Sequence, residues 1–317
     1  MATEDWSLAP FDIERTEPML ARVFAKHRKF EPGGYLDWEY FRNPAGNVVA
    51  LDAVSDQSTV GHYAVIPQKY HRTGETIDVG LSLNTAVRTD ARRKGVFVCM
   101  ASSVYDQAAE PPFSFDAIVA VVNKLSVRGF VERLGWHVVS ALPVRLKLTF
   151  SRRRKSIASW AATPQFFESQ DFQTLCDKID WRPTATWAQT WSREVLKWRL
   201  SKPGQSYTIH ANDQLACCVT STTAFGRRIA VISKFFAFDK SVRANASSLV
   251  GAVCNQYQTP FALYIGFNNA VAFHGINVPP RFRASPLYFA YRPLDGRFQV
   301  QSENEMFSFE CLDFDAY

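Results

Sequence analysis

The stretch LSLNTAVRTDARRKGVFVCMASSVYDQAA, residues 81–109, decides the fold. Its opening is the end of a strand spanning 77–87, with Ser82 and Asn84 on a polar face between apolar neighbours. From Phe97 the pattern changes: Phe97, Met100, Ala101, Val104, Tyr105 and Ala108 fall at helical spacing. Between the two periods lies Arg92-Arg93-Lys94-Gly95-Val96-Phe97. A strand that turns through a basic, glycine-containing loop into a helix is an anion site by construction. The first helical amides have no backbone partner, and the helix dipole adds partial positive charge. Arg92, Arg93 and Lys94 add full charges at the rim, and Gly95 lets the backbone approach a phosphate closely. A diphosphate is the natural occupant.

Working outward, Thr16-Glu17-Pro18 predicts a helix start, with the helix running to about His27. A second helix is predicted over 35–42, before Pro44. Strands are expected over 48–54, 60–66, 68–72 and 77–87, separated by turns at Ser55-Asp56 and Thr73-Gly74. Downstream, a strand over 117–122 leads into a helix capped by Asn123 and ended by Gly135. Strands near 138–139 and 144–150 then close a first unit.

The second half repeats this order. Trp38 through Pro44 is echoed by Trp198 through Pro203, and the strand ending at Asn123 by the strand ending at Asn268. Each echo is expected to enter a short helix, 127–134 in the first half and 270–275 in the second. Strands over 207–210, 216–220 and 229–238 and a helix over 242–257 lie between. A chain of 317 residues exceeds the usual reach of one core. Two domains are therefore expected, 1–150 and 164–317, joined by a linker at 151–163. The fold class is α/β (α+β), two units in tandem, each a mixed, mostly antiparallel sheet flanked by helices.

Composition narrows the function. The net charge of +6 and pI near 9.0 suit anionic partners. The one dense basic run, Arg152-Arg153-Arg154-Lys155, has no interleaved aromatics, so it reads as linker and no nucleic acid is expected. None of the six cysteines forms a Cys-x-x-Cys pair and no histidine lies at zinc spacing, so no metal site is expected. Cys217 and Cys218 read as reduced buried thiols of a cytoplasmic protein. Residues 244–280 carry no charged side chain, but Asn, Gln, His and Pro interrupt them, so the stretch reads as core and no membrane insertion is expected.

The residues at 81–109 resemble motif A of the GNAT acyltransferase superfamily, whose loop reads Gln/Arg-x-x-Gly-x-Gly/Ala. Arg92 and Gly95 match; Phe97 departs from the small third position, which sets the loop back from the cofactor or turns Phe97 into the core. Residues 123–136 resemble motif B, with Asn123, Ser126, Leu134, Gly135 and Trp136 matching. The resemblance covers most of 35–150. It implies acyl-coenzyme A as co-substrate. The diphosphate would lie on the amides of Arg93, Lys94, Gly95, Val96 and Phe97, with Arg92 at the rim. The pantetheine arm would pair along Ala86, Val87 and Arg88, and Asn123, Ser126 and Phe130 would line the cofactor side. The family often places a Tyr acid where Phe130 stands, and Phe130 cannot donate a proton.

Candidates for the remaining chemistry are His62, on a strand expected near the cleft, Asn84, which would orient water or a substrate, and His274, in a polar cluster. For each histidine a satisfied packing role competes. The second half has Phe238-Asp239-Lys240-Ser241-Val242-Arg243 where the loop should be, so it reads as a degenerate copy shaping an acceptor cleft. Trp181, Trp187, Trp191 and Trp198 read as core or as stacking surfaces in that cleft. Tandem units of this size, with Trp-Glu-Tyr-x-x-Asn-Pro at 38–44 and Gly-His-Tyr at 61–63, are similar to bacterial N-acyltransferases of nucleotide-linked amino sugars. The nearest type moves a 3-hydroxybutanoyl group onto a dTDP-linked 3-amino-3,6-dideoxy sugar. This implies a dTDP- or UDP-linked acceptor and a place in surface polysaccharide synthesis. Two alternatives stand beside it: a Fem-like aminoacyl or peptidyl transferase for cell-wall precursors, and a non-catalytic coenzyme A-binding protein. The sequence is silent on oligomeric state.

Overall fold

The alternating run expected over 48–87 forms a meander of three strands in the computed structural model. The structure describes residues 6–25, 29–30, 33–149, 157–224, 226–283, 285–295 and 306–314. In the first half β1 (Ser7–Pro10), α1 (Ile13–Val23) and α2 (Tyr35–Phe41) precede the meander β2 (Val49–Ser55), β3 (Ser58–Arg72) and β4 (Glu75–Val87). Then follow α3 (Val96–Ala109), β5 (Ala117–Asn123), α4 (Val127–Leu134), β6 (His137–Ala141) and β7 (Val144–Leu148). The second half begins with β8 (Ala158–Ala161), α5 (Pro164–Phe167), α6 (Gln170–Lys178), β9 (Trp187–Gln189) and α7 (Arg193–Leu200). It continues through β10 (Thr208–Ala211), β11 (Leu215–Ala224), β12 (Arg227–Ala237), β13 (Ala244–Asn245), α8 (Ser247–Gln256) and β14 (Phe261–Phe267). Short strands β15 (Val271–Ala272) and β16 (Ile276–Asn277) lead to β17 (Leu287–Pro293) and β18 (Phe307–Glu310).

Sixteen of these strands form one mixed, mostly antiparallel sheet; within it β4–β5, β12–β14 and β9–β18 are the parallel pairs. Helices cover both faces. Side chains alternate across a strand, so β3 sends Ala64 and Ile66 into one core with Leu20 and Leu36 of α1 and α2. Tyr63 and Val65 go to the opposite core with Met100 and Val104 of α3. The second half is layered alike, with α6 and α7 over one face and α8 over the other.

The element order recurs in part: two helices, a run of three strands, a helix and a strand occur in each half, but α4 has no helical counterpart after β14. The two halves meet through the echoed tryptophans: Trp38 Nε1 donates to the Trp198 carbonyl at 2.8 Å, and Trp198 Nε1 to the Trp38 carbonyl at 2.9 Å. Their rings stack at 5.3 Å. The contact is locally two-fold, each tryptophan donating to the other's carbonyl.

Several expectations need correction. The first helix is capped by Asp12, whose side chain accepts from Glu14 and Arg15 amides, while Thr16 is a buried partner of Asp52. The helix ends at Val23, and His27 lies outside the described residues, as does the basic run 152–155. The expected strands 60–66 and 68–72 are one strand running through Pro67. Asn123 makes the turn before α4, accepting from the Leu125 and Ser126 amides, and Ser126 holds the cap position. Residues 270–275 form no helix: Val271 and Phe273 are buried in alternation, and β15 pairs with β13. The ladders also cross the expected division at 150/164. β17 pairs with β5 and β6 in the first half's sheet, and β7 pairs with β14 in the second. Each half thus lends the other a strand, which no local pattern of alternation encodes.

Candidate functional site

The basic loop leaves β4 at Arg88, whose amide donates to the Val60 carbonyl at 2.8 Å. Arg92 Nε donates back to the Val87 carbonyl at 3.1 Å, tying the loop to the strand end. Arg93 and Gly95 take positive φ, 65° and 79°. Gly95 opens α3 in the left-handed conformation, and no side chain caps this helix start. A Cβ at Gly95 would meet nothing within 4 Å, so its backbone faces open space. Val96 is buried in the α3 core. A hollow of about 260 Å³ beside the loop is bordered by Trp6, Arg88, Asp90 and Lys94; Arg88 and Asp90 pair there at 2.5 Å.

Beyond the loop the sheet opens. β4 and β5 pair from Val79↔Ala117 to Ser82↔Ala120 and then part. A cavity of about 540 Å³ fills the gap. Ser82, Asn84, Thr85, Ala86 and Val87 form its β4 wall. Arg92, Asn123, Leu125 and Ser126 stand at its mouth, and Phe97 and Phe130 lie beneath α3 and α4. Phe97, the departure from the family pattern, turns inward: its ring lies 5.3 Å from Phe130 and 6.2 Å from Tyr63.

Asn84 marks the wall of this gap. β4 is bulged here: Ala64 pairs with Leu83 but His62 with Ala86, and Asn84 takes φ 53°. A bulge re-aims side chains and frees backbone groups from the ladder. Asn84 Nδ2 donates to Glu39 Oε2 at 3.1 Å and to the Tyr40 hydroxyl at 3.0 Å; its Oδ1 accepts from Lys29 Nζ at 2.9 Å. Behind it, Tyr40 hydroxyl and His62 Nε2 are 2.9 Å apart, and His62 Nδ1 and Asp52 Oδ1 2.8 Å. Asp52 Oδ2 accepts from the Thr16 hydroxyl at 2.7 Å. Since Tyr40 accepts from Asn84, its own proton goes to His62 Nε2, which assigns the Nδ1 proton to the Asp52 bond. Burial, then the Glu39 charge, pushes the Tyr40 phenol well above its ordinary value. Tyr35 also donates to Glu39 Oε2. The second half adds Arg199, 1% exposed, whose Nη1 lies 3.8 Å from Glu39 Oε1.

A second polar chain runs under the cavity. Ser82 Oγ donates to the Tyr63 hydroxyl at 2.9 Å, which lies 2.8 Å from the Tyr105 hydroxyl, and Trp136 Nε1 donates to Tyr105 at 2.9 Å. Burial pushes Tyr105 up to about 12.

The structure brings Asn84, Ala86, Val87, Arg92, Phe97, Asn123, Ser126 and Phe130 together around one cavity. His62 does not reach it: the ring is fully buried and bonded at both nitrogens. His274 is exposed in the second half, where its carbonyl accepts from Lys147 Nζ at 3.2 Å. Trp187, Trp191 and Trp198 are buried core residues. Residues that sequence reasoning did not single out are Glu39, Tyr40, Asp52, Lys29 and Arg199. Glu39 and Tyr40 lie in the Trp-Glu-Tyr stretch at 38–44, and a charged residue amid core aromatics was the available signal. Among the described residues no three His, Cys, Asp or Glu side chains gather as a metal set, and no helix is long and apolar enough to cross a membrane.

The second half has a matching gap, and it is filled. β12 and β14 pair from Ala230↔Ala262 to Ile232↔Tyr264 and part. Into the opening comes β18, pairing Phe309 and Glu310 with Phe267 and Gly266. Glu310 accepts from the Phe235 amide, the Tyr264 hydroxyl, Asn268 Nδ2 and Lys234 Nζ, all at 3.0–3.1 Å. Lys234 also donates to Asp313 at 2.9 Å. Burial works against the Lys234 ammonium, but Asp313 and Glu310 outweigh it, and its pKa is raised.

No protein-family model matches this sequence, and no curated protein matches it. Solved structures do match in fold. A GCN5-related N-acetyltransferase from Anabaena variabilis superposes with a TM-score of 0.59 at 10% identity, covering 92% of this chain and 73% of that one. A GCN5-related N-acetyltransferase from Kribbella flavida gives 0.59 at 11% identity, covering 92% and 71%. Saccharomyces cerevisiae N-myristoyltransferase, solved with bound myristoylCoA, gives 0.56 at 8% identity, covering 92% and 83%. At these identities the likeness establishes a GNAT-type α/β fold over nearly the whole chain.

Proposed function

We propose that this chain is an acyl-coenzyme A-dependent N-acyltransferase working from its first half. One observation carries the reading: a single cavity runs from Arg92 and Phe97, on either side of the glycine start of α3, through the gap between β4 and β5 to Asn84, with Lys94 bordering the neighbouring hollow. The coenzyme A diphosphate lies on the amides from Arg93 to Phe97, with Arg92 and Lys94 at its rim. The pantetheine arm runs along Ala86 and Val87, the β4 residues beyond the point where β4 and β5 part. The oxyanion role falls to a backbone N–H that the bulge turns out of the ladder, which would stabilise the oxyanion without reorganisation.

The acceptor amine attacks the thioester carbon, forming the C–N bond. The C–S bond breaks with its electron pair on sulfur. The amine gives up one proton to water held at Asn84 Oδ1, and the thiolate takes one proton. Lys29 Nζ donates to one lone pair of that oxygen at 2.9 Å, and the water takes the other. Glu39 and Tyr40 hold the Asn84 amide nitrogen inward and keep the oxygen facing the amine. Phe130 supplies no proton; Ser82, whose hydroxyl donates to Tyr63 in the resting structure, and Thr85 are the hydroxyls of the β4 wall from which the thiolate draws its proton.

The finer reading is that the amine belongs to a dTDP- or UDP-linked amino sugar. It is supported by the sequence resemblance, by the positive balance, and by a groove of about 520 Å³ between the halves. Trp38, Arg42, Glu194, Lys197 and Trp198 border that groove, where Arg42 pairs with Asp37 and Lys197 with Glu168, so a diphosphate would compete with those carboxylates. The test is thiol release from acyl-coenzyme A with dTDP- and UDP-linked amino sugars, against free amino sugars and polyamines. Release that requires the nucleotide-linked acceptor is expected. Release with any amine refutes the acceptor assignment. Coenzyme A binding without release on any amine leaves a binding protein, and tRNA binding without coenzyme A binding points to the aminoacyl-transferase class.

A further inference from the structure

We infer that the donor's acyl group is an alkyl chain longer than acetyl, received on the far face of the sheet and gauged by Leu287. This rests on the reading of the gap as the acyl-coenzyme A site. Neighbouring residues of β5 point to opposite faces, yet Val121 and Val122 both line the cavity. The cavity therefore passes through the sheet rather than lying on it. Val122 belongs to the α3/α4 core, on the loop's side. Val121, Leu83, Val23, Phe24 and Leu287 pack with the opposite core. A pantetheine arm entering from the loop delivers its thioester at the gap, so the acyl group emerges among these five side chains, all apolar. A two-carbon acyl group would leave most of this apolar surface in water, whereas a longer chain covers it.

Leu287 comes from β17, the strand lent by the second half, where it pairs opposite Asn123 on the same face as Phe289. It stands at the end of the β5–β17 ladder and is half-buried, so its size sets the length of the trough without holding up the core. This gives the second half a part in donor choice.

The experiment is calorimetric binding of coenzyme A and of acetyl-, butanoyl-, hexanoyl- and octanoyl-coenzyme A to the full chain, and to Leu287→Trp and Leu287→Ala. Affinity is expected to rise about fourfold per buried methylene, the transfer value for a CH₂ group, until the trough is full. Leu287→Trp should lose that gain while binding coenzyme A and acetyl-coenzyme A unchanged, which also reports that it is folded. Leu287→Ala should move the optimum to a longer chain. Equal affinities across the wild-type series overturn the inference while leaving the cofactor site intact, as does a Leu287→Trp protein that keeps the full gain. Absence of coenzyme A binding in the wild type refutes the site itself.

Discussion

The two gaps in the sheet share one arrangement and differ in what fills them. In each half a parallel pair separates after three or four residues, beside a helix that follows the first strand of the pair. In the first half the gap is open, and the neighbouring helix starts on Gly95 with no side-chain cap. In the second half the gap holds the chain's own β18, and Asn245 Oδ1 accepts the Ser247 amide where α8 begins. Gly266 shows how closed that gap is: at φ 119° it sits where a Cβ would lie 2.2 Å from the Phe309 carbonyl oxygen. Strand β18 and its Glu310 take the backbone donors that a pantetheine arm would need. The second half thus differs from the first in a filled gap as well as in its loop sequence.

The comparison breaks most readily at Gly95. Gly95→Glu puts a carboxylate where the diphosphate lies and a side chain at φ 79°. Coenzyme A affinity should fall at least about 1000-fold, about 4 kcal/mol, with strain of only about 1 kcal/mol on the fold. Titration calorimetry beside a thermal melt reads both, and unchanged affinity would remove the loop from the site. Next in size is Glu310→Ala, which strips five donors of their acceptor, the Asp313 amide of the capping box among them, and leaves Lys234 with Asp313 alone. A loss of about 3 kcal/mol is expected, the low end for breaking a buried charged pair, because Asp313 remains. Urea unfolding measures it. Coenzyme A stoichiometry should stay at one per chain, since the second half still has no phosphate loop; a second bound equivalent would show that β18 alone excludes the cofactor.

The open gap was largely legible in the sequence because its parts are local. The alternation of 81–87, the Arg-x-x-Gly turn and the 3.6-residue period after Phe97 each act within a few residues. What was not legible depends on partners far along the chain. His62 reads alone as a titrating cleft residue, yet Asp52 and Tyr40 enclose it from ten and twenty-two positions away. Arg199 and Glu39 occupy echoed places after Trp198 and Trp38, but their approach requires the two-fold contact of those tryptophans. The exchange of β7 and β17 is longer-range still: Leu287 meets Asn123 across more than half the chain. Residues 270–275 misled for a different reason. Val271 and Phe273 carry period two, and the echo with the first half outweighed that short signal.

The smallest expected effect compares the two buried histidines. Each stands on a strand facing a cross-strand partner, but the partners differ. His62 opposes Asp52 and is bonded at both nitrogens. His210 opposes Cys217, has Ser159 Oγ at 2.9 Å from Nδ1, and shows no partner for Nε2 among the described residues. Burial without a carboxylate lowers the His210 pKa to about 4. A histidine held neutral in the fold takes up its proton only on unfolding, once pH falls below the unfolded value near 6.5. It therefore costs nothing above that pH, and stability is lost progressively as pH falls from 6.5 toward 4. At pH 5 the loss should be about 2 kcal/mol, from linkage between those two values. Urea unfolding at pH 7.5 and pH 5 should show His210→Gln losing about 2 kcal/mol less than the wild type over that interval, whatever its stability at pH 7.5. Identical losses in the two proteins would mean that the second half's histidine is solvated or paired after all, and that the halves differ at their gaps but not in how they bury a ring.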